Sequence, residues 1–206
     1  MATLRASEAK DKIVRAAVAL FARQGFHGTS TREIARLADV SEVTVFRYFN
    51  HKDDIFWFAL QESFDAIKSR LNSLDRSSRR GTPEVMLPEL IGMLVDIATY
   101  SPELVRLIAV AVLEMRGRAE EVCRANLTPL FDAISGYLSR NIESGKMRNL
   151  NPAILTAAIA LTVVAQPELS RLIEGGSLMP LGGREAIHAY SSFWLDVLVP
   201  EPEPAQ

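Results

Sequence analysis

The 206-residue sequence has one cysteine, three histidines and no long apolar run, and each shortage removes a class of function. A lone thiol, Cys123, cannot close an intramolecular disulfide and leaves no cysteine cluster for a metal. It reads as a half-buried small hydrophobe. The histidines, His27, His51 and His188, fall on a turn, at a helix start and on a late helix. No two stand at metal-ligand spacing, and they do not supply the base of a nucleophile, base and orienter set. The glycine-rich "GGSLMPLGG" lacks the lysine and the spacing of a phosphate-binding loop. Glu114, Glu120 and Glu121 read as solvated helix ends. These absences argue against an enzyme and imply neither cofactor nor metal. Apolar runs such as Leu107–Leu113 fall far short of the roughly 20 residues that span a bilayer, so no membrane partner is expected. The opening "MATLRASEAKDK" lacks the apolar core of a secretion signal, and the expected location is cytoplasmic.

What is present is helix. With 48% apolar and 23% charged residues the composition is that of a globular chain with ample core. Ile13, Ala16, Ala17, Leu20 and Phe21 recur at three-and-four spacing and mark a first helix that "RQGFHG" ends. Two short helices follow, near 31–38 and 42–49. A long fourth begins near Lys52 with Ile55, Phe56, Ala59, Leu60, Phe64 and Ile67 on one side. It fades into "DRSSRRGTP", the best candidate for a hinge. Helices are then expected over 83–100, 102–115, 119–143, 152–174 and 184–199, and no stretch alternates with the period of a strand. The expected class is all-α, with about nine helices. The final "PEPEPAQ" reads as an extended, disordered tail over 200–206. Charge is mildly uneven: residues 1–60 carry nine Lys and Arg against seven Asp and Glu, residues 61–206 fourteen against eighteen. That permits a nucleic-acid role for the first part without demanding one.

The informative stretch is "GTSTREIARLADVSEVTVFRYFNHK", Gly28 to Lys52. Ser30 with Glu33 three residues on has the spacing of a capping box. Ile34, Leu37 and Ala38 are expected to face inward, with Ala35 small enough for a close helix crossing. Asp39 takes the turn, where aspartate tolerates a left-handed backbone. Ser41 caps the next helix, with Val40 placed to pack on Val45. Val45 and Phe49 point inward and Phe46 lies at the margin, leaving Glu42, Val43, Thr44, Arg47 and Tyr48 outward or sideways. This is a helix-turn-helix, whose second helix can enter a major groove.

The run "IVRAAVALFARQGFHGTSTREIARLADVSEVTVFRYFNHKDDIF", Ile13 to Phe56, resembles the DNA-binding region of the TetR family of bacterial regulators. An apolar helix ending in Gly, a "TS-x-x-x-IA" helix, "VS-x-x-T", an aromatic, a basic residue and "YF", and a lysine opening the fourth helix occur together. The resemblance implies a three-helix DNA-binding head over 1–51 and a helical effector-binding and dimerisation domain over 52–199. Carried over by position, it sets Thr31 and Arg32 at the start of the supporting helix against DNA. Ser41, Glu42, Val43, Thr44 and Arg47 go to the recognition helix, and Tyr48 and Lys52 to phosphates. Three residues depart from the family pattern. Glu42 stands where a basic or amide residue is frequent, so it must accept from a cytosine or pair with Arg32 or Arg47. Val43 replaces a common glycine, and Phe46 a common tyrosine.

The resemblance also implies a homodimer, which suits a motif that reads two half-sites about one helical turn, roughly 34 Å, apart. The seam is expected on the last two helices, with Ala157 and Leu161 on one and Phe193, Trp194 and Leu198 on the other. An effector cavity among the middle helices is implied too. Met93, Ile97, Tyr100, Leu107, Val110, Met115, Phe131 and Tyr137 are candidate wall residues, apolar or carrying a single hydroxyl, and they fit a mostly hydrophobic small molecule. The function expected is that of a dimeric repressor released from a double-stranded DNA operator by such an effector. Control by a protein partner is the alternative, with a helical-bundle enzyme behind it.

Overall fold

In the computed structural model, backbone is described for residues 2–78, 81–172 and 183–200, and side chains for residues 7–68, 81–166 and 183–200. Residues 201–206 of the expected tail and most of "GGSLMPLGG" therefore lie outside the described residues, as do residues 79 and 80 of the expected hinge. The described chain is all-helical: α1 (Ala2–Gln24), α2 (Thr31–Leu37), α3 (Glu42–Tyr48), α4 (Lys52–Ser78), α5 (Pro83–Tyr100), α6 (Pro102–Glu114), α7 (Arg116–Glu143), α8 (Pro152–Leu172) and α9 (Gly183–Leu198). Prolines at the first position of α5, α6 and α8 start helices where no backbone N–H is needed. Only Met115 separates α6 from α7, which begins three residues before the start expected at Ala119.

Two compact units are present, residues 1–67 with 102–126, and residues 68–101 with 127–206. The first runs past the boundary expected at residue 51, because the apolar side of α4 is buried where α1 and the α1–α2 turn supply its partners. Ile55, Phe56, Ala59, Leu60, Phe64 and Ile67 are all buried, as are Ile13, Ala16, Ala17, Leu20 and Phe21 of α1. Phe56 is the hub. Its ring meets Phe21 at 5.2 Å, Phe26 at 5.7 Å and Trp57 at 5.1 Å, each edge to face, the arrangement the ring quadrupole favours. Helix α6 packs along α1, and Leu104, Leu107 and Ala111 form its buried side. Cys123 is half-buried, and desolvation pushes its thiol up, which suppresses thiolate chemistry.

The second unit is built on α5, which is packed by both α8 and α9. Leu87, Leu90, Ile91 and Leu94 of α5 share one core with Leu138 of α7, Ile159 and Val163 of α8, and Trp194 and Leu198 of α9. The Arg148 N–H donates to the Leu198 carbonyl at 2.7 Å and so ties the end of α9 to the segment after α7. The Tyr190 hydroxyl donates to the Thr162 carbonyl at 3.2 Å, which holds α8 and α9 side by side.

Candidate nucleic-acid interface

The helix-turn-helix is set by local chemistry. The Glu33 N–H donates to Ser30 Oγ at 3.2 Å, and Glu33 Oε2 accepts from the Ser30 N–H at 2.9 Å, closing the capping box. The bonds from Ser30 hold the Glu33 carboxyl below its ordinary range. At the other end of α2, Asp39 adopts φ 55°, the Val40 N–H donates to the Ala35 carbonyl at 3.0 Å and the Asp39 N–H to the Arg36 carbonyl at 3.3 Å. These are the two bonds of a Schellman turn, with aspartate in the left-handed position that glycine usually fills. Ser41 then caps α3, its Oγ accepting the Thr44 N–H at 3.1 Å and sharing a 2.8 Å bond with the Thr44 hydroxyl. Ser30→Ala is expected to cost ~1 kcal/mol, lowering the melting temperature by roughly 2–4 °C in thermal unfolding.

Ile34, Ala35 and Ala38 of this segment are buried against the head, and Val45 and Phe49 with them. Leu37 corrects the expectation: it is 56% exposed. One turn from Ile34 on a seven-residue helix, it projects beside α1, where it borders an open groove with Lys12, Arg15, Ala16, Ala38 and Asp39.

The outward residues fall into two groups. Arg32, Val43 and Arg47 are exposed, with Val43 at 79%. Phe46 also stands half out, and the Arg47 guanidinium lies over the Tyr48 ring at 5.1 Å with Nη2 donating to the Tyr48 hydroxyl at 3.3 Å. These side chains are open to a partner. Thr31 and Glu42 are instead engaged with each other: the Thr31 hydroxyl donates to Glu42 Oε1 at 2.6 Å. Thus the carboxylate pairs with neither Arg32 nor Arg47; it joins the first turns of the two helices and fixes their angle. Lys52 is also occupied. Its Nζ donates to the carbonyls of Phe26 at 2.9 Å and Thr29 at 2.8 Å and lies 4.2 Å from the Phe26 ring centre, leaving one of its three N–H groups.

One residue of the head was invisible to local reading. Glu114, at the end of α6, is an exposed helix end as expected and also a connector: its Oε2 accepts the N–H groups of Phe26 at 2.9 Å and His27 at 3.1 Å. A separation of 88 positions leaves no sequence signal for it.

Residues 13–57 match the family described as bacterial regulatory proteins, tetR family. The HTH-type transcriptional repressor NicS of Pseudomonas putida is 30% identical over 149 residues, covering 71% of this chain and 67% of its own. The chain belongs to the TetR family. It is a helix-turn-helix transcriptional regulator of the TetR type. The HTH-type transcriptional regulator RutR of Escherichia coli K12 is 28% identical over 149 residues, 72% of this chain and 69% of its own. Among solved structures, AibR in complex with isovaleryl coenzyme A and operator DNA matches with a TM-score of 0.73 at 14% identity, covering 90% of this chain and 97% of its own. That likeness is one of fold and reaches well beyond the head.

In this TetR-family chain the residues expected to line a cavity divide between the units. Met93, Ile97, Tyr100, Phe131 and Tyr137 lie in the second, and Leu107, Val110 and Met115 in the first. Ile97, Leu107 and Tyr137 are buried, Met93, Val110, Met115 and Phe131 half-buried, and Tyr100 is 72% exposed. Burial, more than the Glu84 charge, pushes the Tyr137 hydroxyl up to about 12. The residues expected at a dimer seam also separate. Leu161 and Phe193 are 65% and 56% exposed and Ala157 is half-buried, whereas Trp194 and Leu198 are buried in the core of the second unit. The last two correct the expectation: four residues apart, they share the side of α9 that is buried in the core with α5, so they supply internal packing.

Proposed function

We propose that this regulator acts as a homodimeric repressor, reads two operator half-sites through α2 and α3, and is released by a small, mostly hydrophobic effector bound in the helical domain over 52–199. The observation that carries the dimer is the face shared by α8 and α9. Ile154 and Leu161, seven residues apart on α8, and Phe193 on α9 leave large apolar side chains in solvent while the opposite sides of both helices are buried on α5. Large apolar side chains left exposed on both helices call for a partner, and a second copy is the partner a two-half-site reader needs. The names of the relatives support the rest. NicS is a repressor, and AibR is described with both an acyl-coenzyme A and operator DNA.

At the DNA, Arg32, Arg47 and Tyr48 are assigned to phosphates and base edges, and Val43 and the Thr44 methyl to thymine methyls. Thr31, Ser41, Glu42 and Lys52 serve chiefly by holding those groups in place, given the bonds they already make. The effector reading draws support from the Tyr137 hydroxyl, which is buried without a hydrogen-bond partner among the described residues. An acceptor oxygen on an otherwise apolar molecule would satisfy it, removing a cost of about 1–3 kcal/mol.

The test is fluorescence anisotropy on a duplex enriched from random-sequence DNA, taken across a salt series. Arg47→Ala is expected to weaken binding by roughly 5- to 150-fold, and to lower the salt slope by about one where the contact is to phosphate. A wild-type protein that enriched no sequence, or bound all duplexes equally, would remove the operator reading.

A further inference from the structure

The turn joining α1 to α2 is held from two sides. On its N–H side, Glu114 Oε2 takes the donors of Phe26 and His27. On its carbonyl side, Lys52 Nζ donates to Phe26 and Thr29, while the Thr29 hydroxyl donates to the Gly25 carbonyl at 2.8 Å. The bonds to Glu114 and Lys52 are charge-assisted and stronger than neutral ones. Gly25 is fitted to the same contact. Its φ of 75° lies in the left-handed region that favours glycine, and the position of a Cβ there would be 2.5 Å from Glu114 Oε1, so the carboxylate sits directly against the turn.

Local preference does not explain the position of Glu114. It is the last residue of α6, where the helix dipole disfavours a carboxylate. What offsets that disfavour is the pair of backbone donors it receives from the turn. The turn runs directly into Ser30, the cap of α2, and α2 is joined in turn to α3 through Thr31 and Glu42. A displacement of the end of α6 therefore has a continuous hydrogen-bonded route to the DNA-facing helices.

We infer that Glu114 is a positioning residue for DNA binding: by carrying the Phe26 and His27 N–H groups, its carboxylate makes the α1–α2 turn, and the start of α2 with it, follow the C-terminal end of α6. The role rests on the DNA-binding reading above, and it ties the start of α2 to α6 within the first unit. Without Glu114 the Phe26 and His27 N–H groups lose their acceptor, and the turn is held to its surroundings by Lys52 on its carbonyl side and by its own internal bonds.

The experiment compares Glu114→Ala and Glu114→Gln with wild type on the duplex that the wild-type protein enriches, with melting temperature and hydrogen exchange of the peptide covering the turn measured alongside. Glu114→Ala is expected to weaken binding by about tenfold or more, with faster exchange at Phe26 and His27. Glu114→Gln keeps an acceptor oxygen and is expected to recover binding to within about threefold of wild type. Neither change alters the salt slope, because no phosphate contact is lost. If the alanine variant fails to fold, Glu114→Asp takes its place under the same tenfold criterion, since it keeps the charge and falls one methylene short. Binding by the alanine or aspartate variant within about twofold of wild type would overturn the positioning role, as would a changed salt slope. Failure of the wild type to enrich any duplex would strike the DNA reading itself, a distinct result.

Discussion

Phe56→Ala is expected to cost about 3–5 kcal/mol, a large share of the roughly 5–15 kcal/mol of stability a domain commonly has. Phe56 is fully buried, and its ring is the meeting point of Phe21 from α1, Phe26 from the α1–α2 turn and its neighbour Trp57. Truncation removes the area of one ring and the edge-to-face contacts of three others, and the aromatic walls are too stiff to collapse into the space. Loss at this site is not confined to stability. Phe26 also carries the carbonyl held by Lys52 and the N–H held by Glu114, so the cavity lies beneath the bonds that position α2. Equilibrium denaturation should give the full loss for alanine and a smaller one for Phe56→Leu, which refills part of the volume. A measured cost below about 1 kcal/mol would mean that the aromatic cluster relaxes freely and is not the hub of the first unit.

The parts of the fold that were legible in the sequence are those decided within a few residues. Ser30 and Glu33 are three apart, and the capping box follows from that spacing alone. Asp39 must take φ above zero if α2 and α3 are to be joined by so short a turn, and it does. The apolar period of α4 picked out Ile55, Phe56, Ala59, Leu60, Phe64 and Ile67 without error, because a long helix shows its period several times over. Leu37 failed for the opposite reason. On a helix of two turns, three apolar residues do not fix the direction of the buried side, and Ile34 and Ala38 were enough to satisfy α1.

The candidate site was legible in type and not in detail. Which residues face outward follows from helical spacing, but which of them are already spent on one another does not. Thr31 and Glu42 each have the chemistry for DNA and use it on each other, eleven positions apart. Lys52 stands where the family places a phosphate contact, yet two of its donors reach back 26 and 23 positions to carbonyls. Glu114 lies farther still. Such pairings depend on where α1, α4 and α6 pack, and that is a property of the tertiary structure which no window of sequence contains.

Leu161→Glu combined with Phe193→Glu is expected to turn the proposed dimer into a monomer of 22.8 kDa and to lower affinity for a two-half-site operator by about 10²- to 10⁴-fold. Both side chains are more than half exposed in the protomer, so their replacement leaves its core untouched and should change protomer stability by no more than about 0.5 kcal/mol. In a seam with twofold symmetry each substitution occurs twice, which brings four new carboxylates onto one apolar surface instead of two. The loss of affinity is then geometric. Arg32, Arg47 and Tyr48 remain as they were on each head, but the second half-site is no longer held at high effective concentration when the first is bound. A half-site duplex should therefore bind the variant and the wild-type head alike, and only the full operator should separate them. Trp194→Glu provides the contrast, because Trp194 is buried against the subunit's own α5 core and its replacement should unfold the second unit. Sedimentation velocity with anisotropy on both duplexes decides the matter: a double variant that stayed dimeric, with full operator affinity, would place the seam on some other face.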